Sequence, residues 1–170
     1  MRDDDELKPM SKGAVPAALA KAEHYRLLND PRQAESICLD VLGADPDNQK
    51  ALVVLVLALS DQLERRKDAG VRQAREYLAR LRDVYQRTYF DGLVCERRAY
   101  AVFATQQPGA AAAAYGWFRQ AMDRYEEAEG IRPPDNDDAI LRWNSVVRML
   151  RRHPELKPEP EGPAPEHMLE

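Results

Sequence analysis

Two Asp-Pro pairs, Asp30-Pro31 and Asp45-Pro46, lie fifteen residues apart in this 170-residue chain. Proline lacks a backbone N–H and is tolerated at the first position of a helix, where an aspartate just before it can cap the free N–H groups. The pairs therefore indicate two helix starts separated by one short helix, which Gly43 ends as a left-handed cap. Starts spaced this closely predict short helices joined by tight turns.

The second start is followed by nine consecutive apolar residues, 51–59. A membrane-spanning helix needs about twenty, so we expect no membrane partner. The valines favour a strand, because branched side chains lose freedom in a helix. However, apolar residues fill every position instead of alternating, and helix start signals precede the run. We interpret it as a helix that protein covers on most sides.

Apolar residues recur every three or four positions through most of the chain, as one helical face requires. This spacing predicts an all-α fold of seven helices. Their predicted bounds are residues 13–28, 31–42, a third helix around the apolar run, 69–87, 90–106, 109–129 and 137–152. The acidic cluster Asp135, Asp137 and Asp138 is predicted to cap the last helix, because the helix dipole favours acidic groups there.

The composition predicts one helical domain between two unstructured ends. The chain is 44% hydrophobic and 32% charged with a net charge of −4, which gives no electrostatic case for nucleic acid. Cys38 and Cys95 are too few for a disulfide scaffold, so we expect reduced, buried thiols and a cytoplasmic location. Residues 1–12 are predicted to be a flexible acidic N-terminus, 13–152 the helical domain, and 153–170 a disordered tail rich in proline and glutamate.

The sequence patterns that could indicate catalysis, a cofactor or a metal are weak. The stretches "DPDNQK" and "DNDDAI" contain calcium-ligand residues, but both lack the glycine at position 6 and the glutamate at position 12 that close such a loop. The histidines His24, His153 and His167 stand outside any known nucleophile or zinc motif. We therefore expect a protein that is not an enzyme and that binds neither cofactor nor metal.

A 34-residue unit, 15–48, carries a regular set of small, aromatic and proline positions. Positions 8, 11, 20, 27 and 32 of this unit are Ala22, Tyr25, Ala34, Val41 and Pro46. Small residues at positions 8 and 20 allow two helices to cross closely. The pattern resembles the tetratricopeptide repeat, a helix–turn–helix unit. It departs from that repeat at positions 4 and 24, where Ala18 and Cys38 replace bulkier residues.

Two more degenerate units are predicted at residues 49–94 and 95–130. In the second unit, "LERRKD" is predicted to lengthen the turn, and in the third, Ala114, Phe118 and Ala121 repeat the 20, 24, 27 spacing. The resemblance implies a short right-handed α-solenoid with helix 137–152 as its C-terminal capping helix. The residues alone also permit an irregular helical bundle.

The resemblance further implies that the first helix of each unit lines a concave groove. The candidate protein-binding residues at its inward positions are Leu19, Glu23, Arg26, Lys50, Val53, Leu57, Glu96, Ala99 and Phe103. Relatives that clamp a peptide carboxylate use lysine and asparagine here, whereas this chain has several apolar residues. We therefore expect the groove to take an amphipathic helix of a partner, a second copy of the chain, or the chain's own N-terminal segment. The alternative is a groove that has closed into ordinary core.

The expected function is a non-catalytic scaffold or adaptor that holds a protein or peptide partner, or itself as a homo-oligomer. Two other functions stay open. One is a chaperone-like module that shields an apolar client helix, and the other is a regulatory subunit of an enzyme encoded on another chain. Resemblance in fold does not decide among them.

Overall fold

A computed structural model describes residues 6–160, and every regular element within this range is helical. A short 3-10 turn covers Lys12–Ala14. The helices are α1 (Val15–Leu27), α2 (Pro31–Ala44), α3 (Gln49–Ser60), α4 (Leu63–Leu78), α5 (Val84–Ala104), α6 (Ala110–Gly130) and α7 (Asp138–Arg152). The all-α prediction is confirmed.

The two Asp-Pro pairs start helices in different ways. Asp30 caps α2 as predicted, because the Gln33 N–H donates to its side chain at 3.2 Å. At the second pair, the cap of α3 is Asn48, whose side-chain oxygen accepts from the Ala51 N–H at 2.9 Å. Asp45 instead accepts from the side-chain amide of Asn48 at 2.9 Å. The chain therefore turns once between the Asp45-Pro46 pair and the helix.

The nine-residue apolar run lies in α3 and is helical, as predicted. All of its side chains are buried except Val53 and Leu57, which stay partly exposed. Val53 still packs against the core formed by the first four helices. A helix covered on nearly every side therefore keeps one narrow apolar strip at the surface.

The predicted bounds of the fourth and fifth helices are wrong. Helix α4 ends at Leu78, and α5 begins at Val84, where the predicted fourth helix still continued. Asp83 starts α5 by accepting from the Gln86 N–H at 2.9 Å. Val84, the first residue of α5, is 53% exposed. The predicted boundary between the second and third units, at residue 94, lies inside α5.

Each helix contacts the next one along the chain, and α1 contacts α3 as α3 contacts α5. The small residues Ala22 and Ala34 are completely buried, as close helix crossing requires. One apolar cluster joins α1 to α4 and takes Val94 and Ala101 from α5. A second joins α5, α6 and α7.

The chain stays in contact with the second cluster beyond α7, because Leu156 is buried there. This residue lies inside the segment predicted to be a tail. Residues 1–5 of the predicted flexible N-terminus and 161–170 of that tail fall outside the described part of the chain. Between residues 6 and 160, no helix has the length and apolar character needed to cross a membrane.

Candidate protein-binding surface

Helices α1, α3 and α5 each contribute side chains to one continuous region, which we name the α1–α3–α5 surface. It consists of Glu23, Arg26, Lys50, Val53, Leu57, Asp61 and Arg97. Two ion pairs cross this surface between α1 and the α3 region. Lys50 Nζ lies 3.3 Å from a carboxylate oxygen of Glu23, and Arg26 Nε donates to Asp61 at 2.8 Å.

Asp61 is the charged centre of this surface. Its second carboxylate oxygen accepts from Arg97 of α5, so one carboxylate joins arginines from two helices. The same Arg97 nitrogen donates to Ser60 Oγ at 2.7 Å and to the Leu57 carbonyl at 3.3 Å. Burial lowers the pKa of Arg97, and the charge of Asp61 opposes that effect. The charges of this region therefore largely satisfy one another.

The apolar part of the surface lies beside a pocket. Leu57 is partly exposed on α3, and a pocket of about 410 Å³ opens next to the C-terminal end of that helix. Asp61, Arg97, Tyr100 and Phe103 are among the residues that line it. The surface thus combines a short apolar strip, a concave opening and a rim of paired charges.

Five of the nine candidate binding residues lie on this surface. They are Glu23, Arg26, Lys50, Val53 and Leu57. Leu19 is buried in the first cluster. Glu96 and Ala99 are also buried, on the side of α5 that packs against α6 and α7. Phe103 is partly buried against the same cluster and also lines the pocket beside the α1–α3–α5 surface. The binding role of the nine stays a prediction, and for the three buried residues it requires that helices move apart.

Sequence reasoning missed Asp61 and Arg97. The repeat resemblance puts Glu96 at an inward position, whereas in the structure its neighbour Arg97 is the residue that reaches α3. The apolar residues Val94 and Ala101, seven positions apart, both join the first cluster. Arg97 shares their helical face, because it lies three residues after Val94 and four before Ala101. The sequence does not show which apolar residues of α5 face α3, so it contains no signal for Arg97.

Glu96 takes part in a different polar site, between α5, α6 and α7. It is only 3% exposed. Tyr125 of α6 donates its hydroxyl to the Glu96 carboxylate at 2.5 Å, and Arg142 of α7 approaches the other oxygen at 3.4 Å. Burial, followed by the charge of Glu96, raises the pKa of Tyr125 far above its usual range. The tyrosine therefore stays a hydrogen-bond donor.

Aromatic rings surround this buried carboxylate. Tyr89 stacks on Tyr85 with ring centroids 5.7 Å apart and meets Tyr125 at 6.0 Å. Farther along α5, Phe103 meets His153 at 5.2 Å with the rings nearly perpendicular. These rings and the contact between Glu96 and Arg142 lie in the region where α5, α6 and α7 meet.

The two cysteines are buried free thiols. Burial raises the pKa of each to about 12, which disfavours the reactive thiolate. Cys95 also accepts from an Arg75 N–H at 3.3 Å. Within residues 6–160, no three His, Cys, Asp or Glu side chains are grouped so that they could hold a metal ion.

This chain matches no known protein family, no curated protein and no solved structure.

Proposed function

We propose that this protein is a non-catalytic interaction scaffold or adaptor, built as a short right-handed α-solenoid of tetratricopeptide-like helix pairs. The order of helix contacts supports this architecture. Each helix packs on its successor, and the alternate helices α1, α3 and α5 also touch in series. In the proposed solenoid, α7 caps the last helix pair.

The observation that carries the proposal is the partly exposed apolar strip on α3. The other seven residues of the nine-residue run are buried, whereas Val53 and Leu57 face the α1–α3–α5 surface. An amphipathic helix of a protein partner would cover this strip with its own apolar face. The charged groups of Glu23 and Lys50 would then lie at the rim, where they set orientation more than affinity.

The proposed location is the cytoplasm. Cys38 and Cys95 lie in different apolar clusters and are buried. Free thiols of this kind suit a reducing compartment. Exposure to an oxidant would therefore leave the chain without an internal disulfide between them.

The test compares two leucine-to-aspartate variants in affinity capture from the source cells. Leu57→Asp places a charge on the proposed binding strip. Leu39→Asp is the matched control, because Leu39 is 44% exposed on α2, away from that strip. We expect the wild-type chain and Leu39→Asp to retain the same proteins, identified by mass spectrometry, and Leu57→Asp to lose them while its circular dichroism is unchanged.

Two results would contradict the proposal. If Leu57→Asp unfolds the isolated chain, the strip is part of the core. If it retains the same proteins as the wild type, the partner binds elsewhere. A second copy of the chain as the partner would give a concentration-dependent dimer in sedimentation experiments, and Leu57→Asp would abolish it.

A further inference from the structure

Two arginines and two hydroxyl groups line a small opening between α5 and α7. Its volume is about 150 Å³. The lining residues are Tyr100 of α5 and Ser145, Arg148, Met149 and Arg152 of α7. No acidic residue of the described chain is among them. The opening is therefore a positively charged place on a chain whose net charge is −4.

The spacing of the α7 residues explains why they meet at one opening. Ser145, Arg148 and Arg152 follow one another at intervals of three and four residues, so they share one face of the helix. All three are exposed. The helix is fixed by its other side, where Ala139 and Val146 are fully buried. The face that carries the arginines is therefore held in a fixed position.

The polar side chains at the opening have no partner within residues 6–160. Neither arginine forms an ion pair there, and the hydroxyl groups of Tyr100 and Ser145 make no hydrogen bond to a protein group. Arg142, the next arginine on this side of α7, pairs with the buried Glu96 instead. Because Glu96 is already neutralised by that pair, both cations at the opening are free to meet an external anion.

Tyr100 is positioned to donate a hydrogen bond at this opening. Its ring meets that of Phe118 edge-on, with centroids 5.1 Å apart. Burial, followed by the charge of Glu96, raises the pKa of Tyr100 above its usual value. The charges of Arg142 and Arg152 act in the opposite direction. The hydroxyl therefore stays protonated near neutral pH and is available as a donor beside the two arginines.

This set of donors suits a phosphoryl group better than a carboxylate. A phosphate monoester carries a charge of about −1.5 to −2 at pH 7 and has three strong acceptor oxygens. The forked guanidinium group of arginine matches such oxygens in pairs. A carboxylate would neutralise only one of the two cations. Pockets that enclose a whole small molecule measure about 300–1,000 Å³, so this opening has room for the phosphoryl group alone.

We propose that this opening binds a phosphorylated side chain of the protein partner, with Arg148 and Arg152 holding the phosphate and Tyr100 donating to it. The inference rests on the proposed scaffold function, because the opening adjoins the surface proposed for the partner. Tyr100 also lines the pocket of about 410 Å³ that lies beside the α1–α3–α5 surface. A partner helix on that surface would bring its phosphorylated end to the opening, so phosphorylation strengthens its binding.

The first experiment titrates the full chain with inorganic phosphate and follows the phosphorus NMR signal. Arg152→Ala removes one cation of the opening. Arg151→Ala is the matched control, because Arg151 is its exposed neighbour on α7 and does not line the opening. We expect saturable binding to the wild type and about tenfold weaker binding to Arg152→Ala, since one charged hydrogen-bonding group is lost. Arg151→Ala should bind like the wild type.

Two results of this titration would overturn the proposal. Equal losses in Arg152→Ala and Arg151→Ala would show an effect of net charge instead of a site. Acetate that binds as tightly as phosphate would show that the opening does not select a phosphoryl group.

Tyr100→Phe tests the hydroxyl separately, because phenylalanine keeps the ring that packs on Phe118. We expect about threefold weaker phosphate binding, since one neutral donor is lost. Unchanged affinity would overturn the role given to Tyr100.

The second experiment tests whether the phosphate belongs to the partner. Proteins captured by the wild-type chain are compared before and after phosphatase treatment of the cell extract. We expect the treatment and Arg152→Ala each to lose these proteins, while Arg151→Ala retains them. If the proteins survive both changes although phosphate binds in the titration, the opening takes free phosphate and the proposal is overturned. That result leaves the capture test with Leu57→Asp unaffected, so the two proposals fail separately.

Discussion

At the scale of single residues, α5 and α6 approach each other closely at a glycine. Gly92 of α5 faces the ring of Tyr125, and a Cβ at position 92 would lie 2.7 Å from that ring. Tyr125 is itself held by its hydrogen bond to Glu96, so the ring has little freedom to move away. Glycine is therefore required here by packing between α5 and α6.

We expect Gly92→Ala to lower the free energy of unfolding by about 1–3 kcal/mol, as overpacking of a core typically does. Gly116→Ala is the matched control in α6, because nothing lies within 4 Å of its added Cβ. That control should raise stability by about 0.5–1 kcal/mol, since alanine favours the helix. Urea denaturation of both variants measures the difference, and an equal response would contradict the contact.

Because the thiol of Cys38 is buried, the free energy of unfolding should depend on pH in the alkaline range. Burial raises its pKa from 9.0 to about 12, so the folded chain keeps this proton at a pH where the unfolded chain loses it. The stabilisation is complete below about pH 9 and is lost as pH rises toward 12. Above pH 9, this thiol should reduce the free energy of unfolding by up to about 1.4 kcal/mol per pH unit.

Cys38→Ala tests this dependence, because alanine has no proton to lose. We expect the variant to show a shallower fall in unfolding free energy between pH 9 and pH 10.5 than the wild type. Parallel curves for the two proteins would show that Cys38 doesn't contribute. Measurements at pH 7 give the cost of the substitution itself.

At the scale of elements, helix α4 is interrupted after its first turn. Lys67 has φ 53° and ψ −141°, a conformation that favours glycine. The break allows the residues beside it to form ion pairs in different directions. Arg66 donates to both oxygens of Glu35, at 2.9 and 2.7 Å, while Asp68 accepts from Arg98 at 2.8 Å. The segment predicted to lengthen the turn thus forms a separate helical turn.

We expect Lys67→Gly to raise the free energy of unfolding by about 1 kcal/mol, because glycine adopts this backbone conformation without strain. Lys21→Gly is the matched control, since Lys21 is exposed inside the regular helix α1. There glycine should cost about 1 kcal/mol. Thermal unfolding of both variants gives the sign of each change in stability. A loss of stability in Lys67→Gly would argue for a continuous helix.

At the scale of the whole molecule, Asp61 connects the alternate helices α1, α3 and α5. It follows α3, and it accepts from Arg26 of α1 and Arg97 of α5. The side chains of Arg26, Asp61 and Arg97 are each about one quarter exposed to solvent. Helices that touch only along narrow contacts are thereby joined by one carboxylate.

We expect Asp61→Asn to reduce the free energy of unfolding by about 1–3 kcal/mol, because two partly buried arginines lose their shared carboxylate. Asp47→Asn is the control, since Asp47 and its partner Arg82 are 82% and 72% exposed at 3.6 Å. An exposed pair of this kind contributes close to nothing. Urea denaturation at low and high salt measures both, and equal values would show that Asp61 is dispensable.

Local signals in the sequence predicted the number of helices but misplaced the bounds of α4 and α5. Gly43, predicted to end α2 as a left-handed cap, lies inside that helix and has no positive φ. Asp30 capped α2 as predicted, and the apolar run formed a helix with two residues left at its surface. Such signals fail where neighbouring residues compete for the same role. At the start of α7, the Asp138 N–H donates to the side-chain oxygen of Asn136. The side chain of Asp137, the N-cap residue, makes no capping hydrogen bond.

The sequence by itself determined an all-α chain, the start of α2 and the apolar character of α3, because these depend on residues within a few positions of one another. The tertiary structure alone decided which side of α5 meets which neighbour. One residue along a helix rotates the side chain by about 100°. That single step separates Arg97, which joins α3, from Glu96, which lies buried beneath α7. Contacts between distant helices select the rotation, and no local pattern contains them.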